Sequence, residues 1–306
     1  MAQTHPLILR LIASSIPVAN HAGKIIRDIM KKGELNIVDK GIEDFQTEAD
    51  RQAQLCIVKS LSQQFPGISI IGEEGDDHDA DSSSEITTVT EDSVLSKQCP
   101  PELVDVTEEQ ITVWVDPLDG TSEYTQGLLE HVTVLIGIAV DEKAVAGIIH
   151  QPYYGYKEKG TIGRTIWGLV GLGAFGHNPG QLPTDRRILT TTRSHSSPLV
   201  QEAIKSLNPD EVLRVGGAGN KVLLLLDSKA HAYVFASKGC KRWDTCAPEA
   251  ILNAAGGWLT DVHGNLYSYN KDTPHLNTGG VLATAKKEEH SIYLNLLPDS
   301  VKSQLK

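Results

Sequence analysis

The stretch VTVLIGIAVDEKAVAGIIH, residues 132–150, holds two apolar runs, Val132–Val140 and Ala144–His150, parted by the charged residues Asp141, Glu142 and Lys143. Runs of this length, rich in Val and Ile and joined by a short polar turn, predict neighbouring antiparallel strands. Thr165–Phe175 continues the meander as a third strand. From Ile188 the pattern changes to alternation. Ile188–Thr192 (strand) precedes Pro198–Leu207 (helix), and Val212–Val215 precedes a glycine-rich turn and the helix Lys221–Asp227. Tyr233–Ala236 precedes a helix around Pro248–Ala255, ended by Gly256 and Gly257, and Gly280–Thr284 precedes a final helix. A meander followed by alternation predicts an α/β protein in two parts. These are an α+β N-terminal domain over 1–180 and an α/β C-terminal domain over 181–306, linked by the Gly- and Pro-rich segment 176–187.

Upstream of the meander, residues 7–32 predict a first helix, which Pro17 should kink or interrupt by removing a backbone hydrogen bond. A second helix runs from Thr47 to Phe65, where Pro66 and Gly67 stop it. Two short strands follow, Ile68–Ile71 and Ile111–Val115, each ending in carboxylates. Between them, the acidic, serine-rich segment 75–101 reads as a solvated surface loop with room for one short helix.

The whole chain of 306 residues fits two domains at about 150 each. Lys and Arg number 28 against 39 Asp and Glu, a net charge of −11. That balance argues against a nucleic-acid polymer or an anionic membrane as partner, since both are bound through excess cations. It leaves room for a small anionic substrate if something local reverses the field. The longest apolar run falls far short of the about 20 residues a membrane helix needs. The N-terminal residues do not read as a signal peptide. Four cysteines, Cys56, Cys99, Cys240 and Cys246, lack metal or redox spacing and read as small buried side chains, so a reducing cytoplasm is the expected location.

Three segments put acidic residues just past a strand or at a helix start: Glu73 and Glu74, Asp116 to Thr121, and Asp244. Singly, each has an ordinary explanation. Thr121 and Asp244 suit helix N-caps, Thr47 with Asp50 resembles a capping box, and Asp116 and Asp119 suit a turn. Together, Glu73, Asp116, Asp119 and Asp244 would place like charges side by side, which requires protonation or a cation. Oxygen ligands alone favour a hard ion, Mg²⁺ first. The segment Gly216–Lys221 is neither a Walker loop nor a dinucleotide fingerprint, yet its glycine-rich helix start with a lysine suits an anion.

These motifs are similar to those of the magnesium-dependent, lithium-sensitive phosphatase superfamily of inositol monophosphatase. Trp114–Gly127 (WVDPLDGTSEYTQG), Ile149–Tyr154, Thr190–Ser196 (TTTRSHS), Arg214–Lys221 (RVGGAGNK) and Val234–Glu249 resemble its bisphosphate nucleotidase branch. The resemblance implies a layered α-β-α-β-α sandwich. It implies that Glu73, Asp116, the Leu118 carbonyl, Asp119 and Asp244 ligate up to three Mg²⁺. It makes Asp50 and Thr121 the pair that orients and deprotonates water, and sets phosphate at the Gly120 and Thr121 amides. Nucleotide is expected against Thr192, Ser194, His195, Gly217 and Lys221, with Asp244 also reaching it. The substrates implied are 3′-phosphoadenosine 5′-phosphate (PAP), cleaved to the 5′-monophosphate AMP and inorganic phosphate, and its phosphosulfate analogue PAPS. Two alternatives stay open: an inositol polyphosphate 1-phosphatase acting on inositol 1,4-bisphosphate, and a non-catalytic sensor of bisphosphorylated nucleotides. A monomer or weak homo-oligomer is expected.

Overall fold

The computed structural model describes residues 5–41, 44–75, 86–158, 160–194 and 196–306, and the statements below concern these. The meander forms as expected: β5 (Thr133–Val140) and β6 (Lys143–Gln151) pair antiparallel. Beside β5 lies β4 (Ile111–Asp119), which runs parallel to β3 (Ser69–Gly72). Beside β6 lie β7 (Arg164–Leu169) and β8 (Gly173–Phe175), completing a six-stranded sheet. The expected single strand Thr165–Phe175 is therefore two. Gly171 at φ 85° and Gly173 at φ 123° reverse the chain there, in backbone conformations that residues with a Cβ rarely adopt.

Side chains along β5 alternate between two cores. Val134, Ile136 and Ile138 join a cluster with α1 (Leu7–Lys32) and α2 (Glu48–Gln64), while Leu135 and Ala139 join the cluster of the C-terminal elements. Burial on both faces explains why the run is continuously apolar. The C-terminal half builds a second sheet, in the order β10 (Glu211–Val215), β9 (Ile188–Thr192), β11 (Ala232–Phe235), β15 (Val281–Thr284) and β13 (Trp258–Thr260). The first three are parallel, and β15 is antiparallel to both of its neighbours. Between the sheets lie α6 (Ala218–Leu226) and α7 (Arg242–Ala254), each touching strands of both. On β11 and β15 pack α5 (Pro198–Ser206) and α8 (His290–Leu296), which completes the α-β-α-β-α layering. Two small antiparallel pairs, β1 (Val38–Gly41) with β2 (Asp44–Gln46) and β12 (Cys240–Lys241) with β14 (Leu276–Asn277), were not foreseen. The short helices are α3 (Asp92–Leu95), α4 (Thr121–Thr125) and α9 (Asp299–Lys302).

Pro17 does not interrupt α1, which runs unbroken through it. The Ala13 carbonyl, which a prolyl nitrogen cannot serve, instead accepts a hydrogen bond from the Glu91 backbone N–H at 2.9 Å. The end of the acidic segment is thus docked by its backbone while most of its side chains stay exposed, and it carries the short helix expected there. Thr87 adds a bond from its N–H to Ser60 Oγ at 3.1 Å, and its carbonyl accepts from Gln64 Nε2 at 3.2 Å. Residues 76–85 lie outside the described residues.

One glycine row sets the distance between α7 and the first sheet. Gly137, Gly147 and Gly168 face one another across β5, β6 and β7. A Cβ on Gly137 would lie 2.5 Å from Cys246 Cβ, and one on Gly147 would lie 2.5 Å from the Ala247 carbonyl oxygen. Because the second obstacle is backbone, no rotamer change relieves it. Gly147→Ala is expected to cost about 3 kcal/mol through overpacking, read as a lowered Tm. An unchanged Tm would show that α7 shifts freely on the sheet.

Candidate active site

The carboxyl end of β4 carries Asp116 and Asp119. Residues three apart on a regular strand face opposite sides. Here the pairing with β5 slips between Asp116 (opposite Leu135) and Asp119 (opposite Thr133), an irregularity that lets both carboxylates share one side. Asp116 Oδ1 accepts from the Leu118 N–H at 3.0 Å, and Gly120 at φ 90° turns the chain into α4.

Asp244 arrives from the other half of the chain. Helix α7 begins at Arg242, six residues ahead of Pro248, so Asp244 stands in its first turn, where Oδ2 accepts from the Lys241 N–H at 2.6 Å. One carboxylate oxygen each of Asp116, Asp119 and Asp244 lies within 4.8 Å of the others. Asp119 joins the halves: its Oδ1 accepts from the Ala218 N–H and its Oδ2 from the Gly219 N–H, both at 2.8 Å, and Thr133 Oγ1 adds a third donor at 2.6 Å. Burial, then the charges of Glu73, Asp119 and Asp244, push the Asp116 carboxyl well above the carboxylate range. Burial and Asp119 push Asp244 up as well. An all-oxygen donor set in which Asp116 and Asp244 are raised in this way fits a hard divalent cation, which would return these two to their ionised form. Glu73 lines the same cleft, of about 340 Å³.

Asp50 divides its two oxygens between two tasks. Oδ2 accepts from the Thr47 N–H at 2.7 Å and from Thr47 Oγ1 at 2.5 Å, closing the capping box that starts α2. Oδ1 lies 3.0 Å from Thr121 Oγ1, which is also 3.0 Å from the Leu118 carbonyl oxygen. The capping and functional readings of Asp50 are therefore compatible. Burial pushes its carboxyl up to about 6, against the Thr47 donors, which lower it. Glu74, read from sequence as a neighbour of Glu73, receives a short hydrogen bond from Gln46 Nε2 and raises Asp50 through its charge.

The C-terminal wall brings Thr192, Ser194, Gly217 and Lys221 to the cleft, facing Gly120 and Thr121. His195 lies outside the described residues. Lys221 is buried at the wall of the cleft. Burial lowers its pKa, Asp119 and Glu123 oppose that, and its Nζ donates to the Gly217 carbonyl at 2.8 Å. Gly217 requires its φ of 73°, and a Cβ there would lie 2.7 Å from the His131 carbonyl oxygen. Sequence reasoning missed Glu123, which is 3% exposed in the cleft with Arg193 Nη1 at 3.8 Å, and Phe45 of the small hairpin. The signal for Glu123 was only its place one helical step past Gly120. Phe45 sits in a four-residue-scale hairpin too short for periodicity to reveal.

Comparison with known proteins gives concordant matches. A model of the inositol monophosphatase family matches residues 9–302. The chain is 51% identical to 3′(2′),5′-bisphosphate nucleotidase 1 of Homo sapiens, covering 100% of this chain and 99% of the relative. It is 39% identical to the protein of the same name from Dictyostelium discoideum, over 95% of this chain and 96% of the relative. Among solved structures, extragenic suppressor protein suhB from Bartonella henselae superposes with a TM-score of 0.68 at 20% identity, covering 93% of this chain and 97% of that one, a likeness of fold.

Proposed function

Since the chain belongs to the inositol monophosphatase family, we propose that its cleft hydrolyses the 3′- (or 2′-) phosphate of PAP, and also of PAPS, giving the 5′-nucleotide and inorganic phosphate. The observation that carries this reading is Thr121 Oγ1, 3.0 Å from Asp50 Oδ1 and two residues past the carboxylate cluster on β4. Supporting it are the relatives named 3′(2′),5′-bisphosphate nucleotidase 1.

Glu73, Asp116, the Leu118 carbonyl, Asp119 and Asp244 would hold two to three Mg²⁺. Bound there, Mg²⁺ supplies an acidified water and counter-charge for the phosphoryl oxygens. Thr121 has one hydroxyl proton to share between Asp50 Oδ1 and the Leu118 carbonyl. Were that carbonyl to serve as a metal ligand, the proton would go to Asp50, and the Thr121 lone pairs would be free to accept from the attacking water. Asp50, poised near 6, is a suitable proton sink for that relay. Phosphate rests at the Gly120 and Thr121 amides. Thr192, Ser194, His195, Gly217 and Lys221 hold the nucleotide, with Asp244 reaching it from the metal side. The P–O bond to ribose breaks, and the ribose oxygen takes a proton from solvent.

The test is phosphate release from PAP and from inositol 1,4-bisphosphate with Mg²⁺, with and without lithium. Fast, lithium-sensitive release from PAP supports the reading. Release from the inositol substrate alone would keep the metal site and overturn the nucleotide pocket, and release from neither would favour a sensor. Lys221→Ala is expected to raise KM for PAP by about tenfold, with a much smaller effect on p-nitrophenyl phosphate, because one charge-assisted contact is lost. Equal effects would remove Lys221 from the pocket. We place the domain division near residue 180, at the segment between β8 and β9, and the protein in the cytoplasm. No helix of the described residues is long and apolar enough to cross a membrane.

A further inference from the structure

Helix α6 presents Gly217 and Lys221 to the cleft, yet it is anchored on the six-stranded sheet at both of its ends. At the front, Asp119 of β4 takes the Ala218 and Gly219 N–H groups at 2.8 Å each. The approach is close, since a Cβ on Gly219 would lie 2.6 Å from Leu135 Cδ2. At the rear, Asp227 caps α6 with a carboxylate, the wrong charge for a helix C-terminus. Its placement has another cause. Arg164, the first residue of β7, meets it as a fork, with Nη1 to Oδ1 at 3.3 Å and Nη2 to Oδ2 at 2.5 Å. Asp227 is buried and Arg164 largely so, at 6% and 11% side-chain exposure. Arg164 is itself held on three sides. Its Nε donates to Gln151 Oε1 at 2.6 Å, and its guanidinium lies 4.3 Å from the Tyr154 ring centre. Asp227 Oδ1 takes one more donor, the Asn178 N–H at 3.1 Å, from the segment joining the two sheets.

We propose that Arg164 and Asp227 are positioning residues for the nucleotide wall: the pair fixes α6 along its axis, keeping Gly217 and Lys221 in register with Asp119. The front anchor alone is a poor guide for this, because Asp119 also belongs to the carboxylate cluster. The rear anchor is remote from that cluster and rigid, being bidentate and buried. Small axial errors matter, since misplacement of about 1 Å can cost on the order of 10²-fold in rate. The inference rests on the reading of α6 as a nucleotide-binding wall.

The test compares wild type, Arg164→Lys and the double variant Arg164→Met with Asp227→Leu. Removing both charges leaves no unpaired buried ion but does leave Gln151 Oε1 and the Asn178 N–H without these partners, so the double variant is expected to stay folded with a Tm lowered by several degrees. Its KM for PAP and its Kd for AMP by calorimetry should both rise by about tenfold, with turnover of p-nitrophenyl phosphate changed by less than about twofold. Arg164→Lys, which keeps the charge but not the fork, should fall between, at about threefold. Unchanged KM and Kd in the double variant, or equal losses on both substrates, would overturn the proposal. Should the double variant fail to fold, a wild-type KM in Arg164→Lys would overturn it alone. Failure of the underlying functional reading has a different signature: the wild type itself would neither cleave PAP nor bind AMP.

Discussion

Asp50→Asn is expected to lower kcat for PAP by about 10³-fold while nucleotide affinity stays within about twofold of wild type. The argument turns on the two oxygens of Asp50. The amide oxygen of Asn can still accept from Thr47, so the cap of α2 survives in part, and the loss of a cap costs only about 1 kcal/mol. The amide nitrogen then faces Thr121 Oγ1 as a donor, where the native residue accepts at 3.0 Å. The direction of the relay is reversed, and Thr121 can no longer pass a proton on. On this proposal Asp50 is also expected to set the acid side of the pH profile. It works as an acceptor only when ionised, and burial holds its pKa at about 6, so activity should fall as pH drops through that value. Near-normal kcat in Asp50→Asn would remove Asp50 from the mechanism. A much-lowered Tm would show that capping is its main task.

What could be read beforehand divides along physical lines. The layered α/β architecture was legible because β5 and β6 carry their own period and length, and because strand–helix alternation after Ile188 leaves few topologies. The carboxylates were legible as types and positions, and their convergence was expected from the turn and the family resemblance; what the sequence did not show is the means by which they meet. Asp116 and Asp119 converge only through the slipped pairing with β5, a tertiary event that no local pattern announces. Pro17 shows the converse failure. Its local rule, a broken helix, is overridden because Glu91, 74 positions along the chain, supplies the donor that Ala13 lacks. The start of α7 was placed too late, since Trp243, Thr245 and Cys246 are weak helix formers that tertiary burial recruits. Glu123 and Arg193 were invisible for the same reason: an ion pair between halves of a chain has no sequence period.

Asp116→Asn should have opposite effects on stability and function. The Asp116 side chain is buried beside Glu73, Asp119 and Asp244, and that burial, then those charges, raise its pKa. With metal chelated, the cluster is a self-repelling group whose ionised form costs folding free energy. An isosteric amide removes one charge and keeps the shape, so the chelated variant should unfold a few degrees above chelated wild type. Adding Mg²⁺ reverses the order. A cation at about 100 times its Kd stabilises wild type by about 2.7 kcal/mol, and the variant, with a weaker site, should gain little of this. Half-activation by Mg²⁺ should move up by at least about 100-fold, and kcat at ordinary Mg²⁺ should fall by about 10³-fold. Calorimetric melts of both proteins, with chelator and with Mg²⁺, read the crossing directly. If the variant melts below wild type in chelator, then the stronger, charge-assisted bond that a carboxylate accepts from the Leu118 N–H outweighs the repulsion, and the carboxylate is there to shape the turn. If it responds to Mg²⁺ as wild type does, the cation is held elsewhere. A crossing of the two melting curves has no such structural explanation: it requires a site whose folded geometry is made unfavourable without its ion and favourable with it.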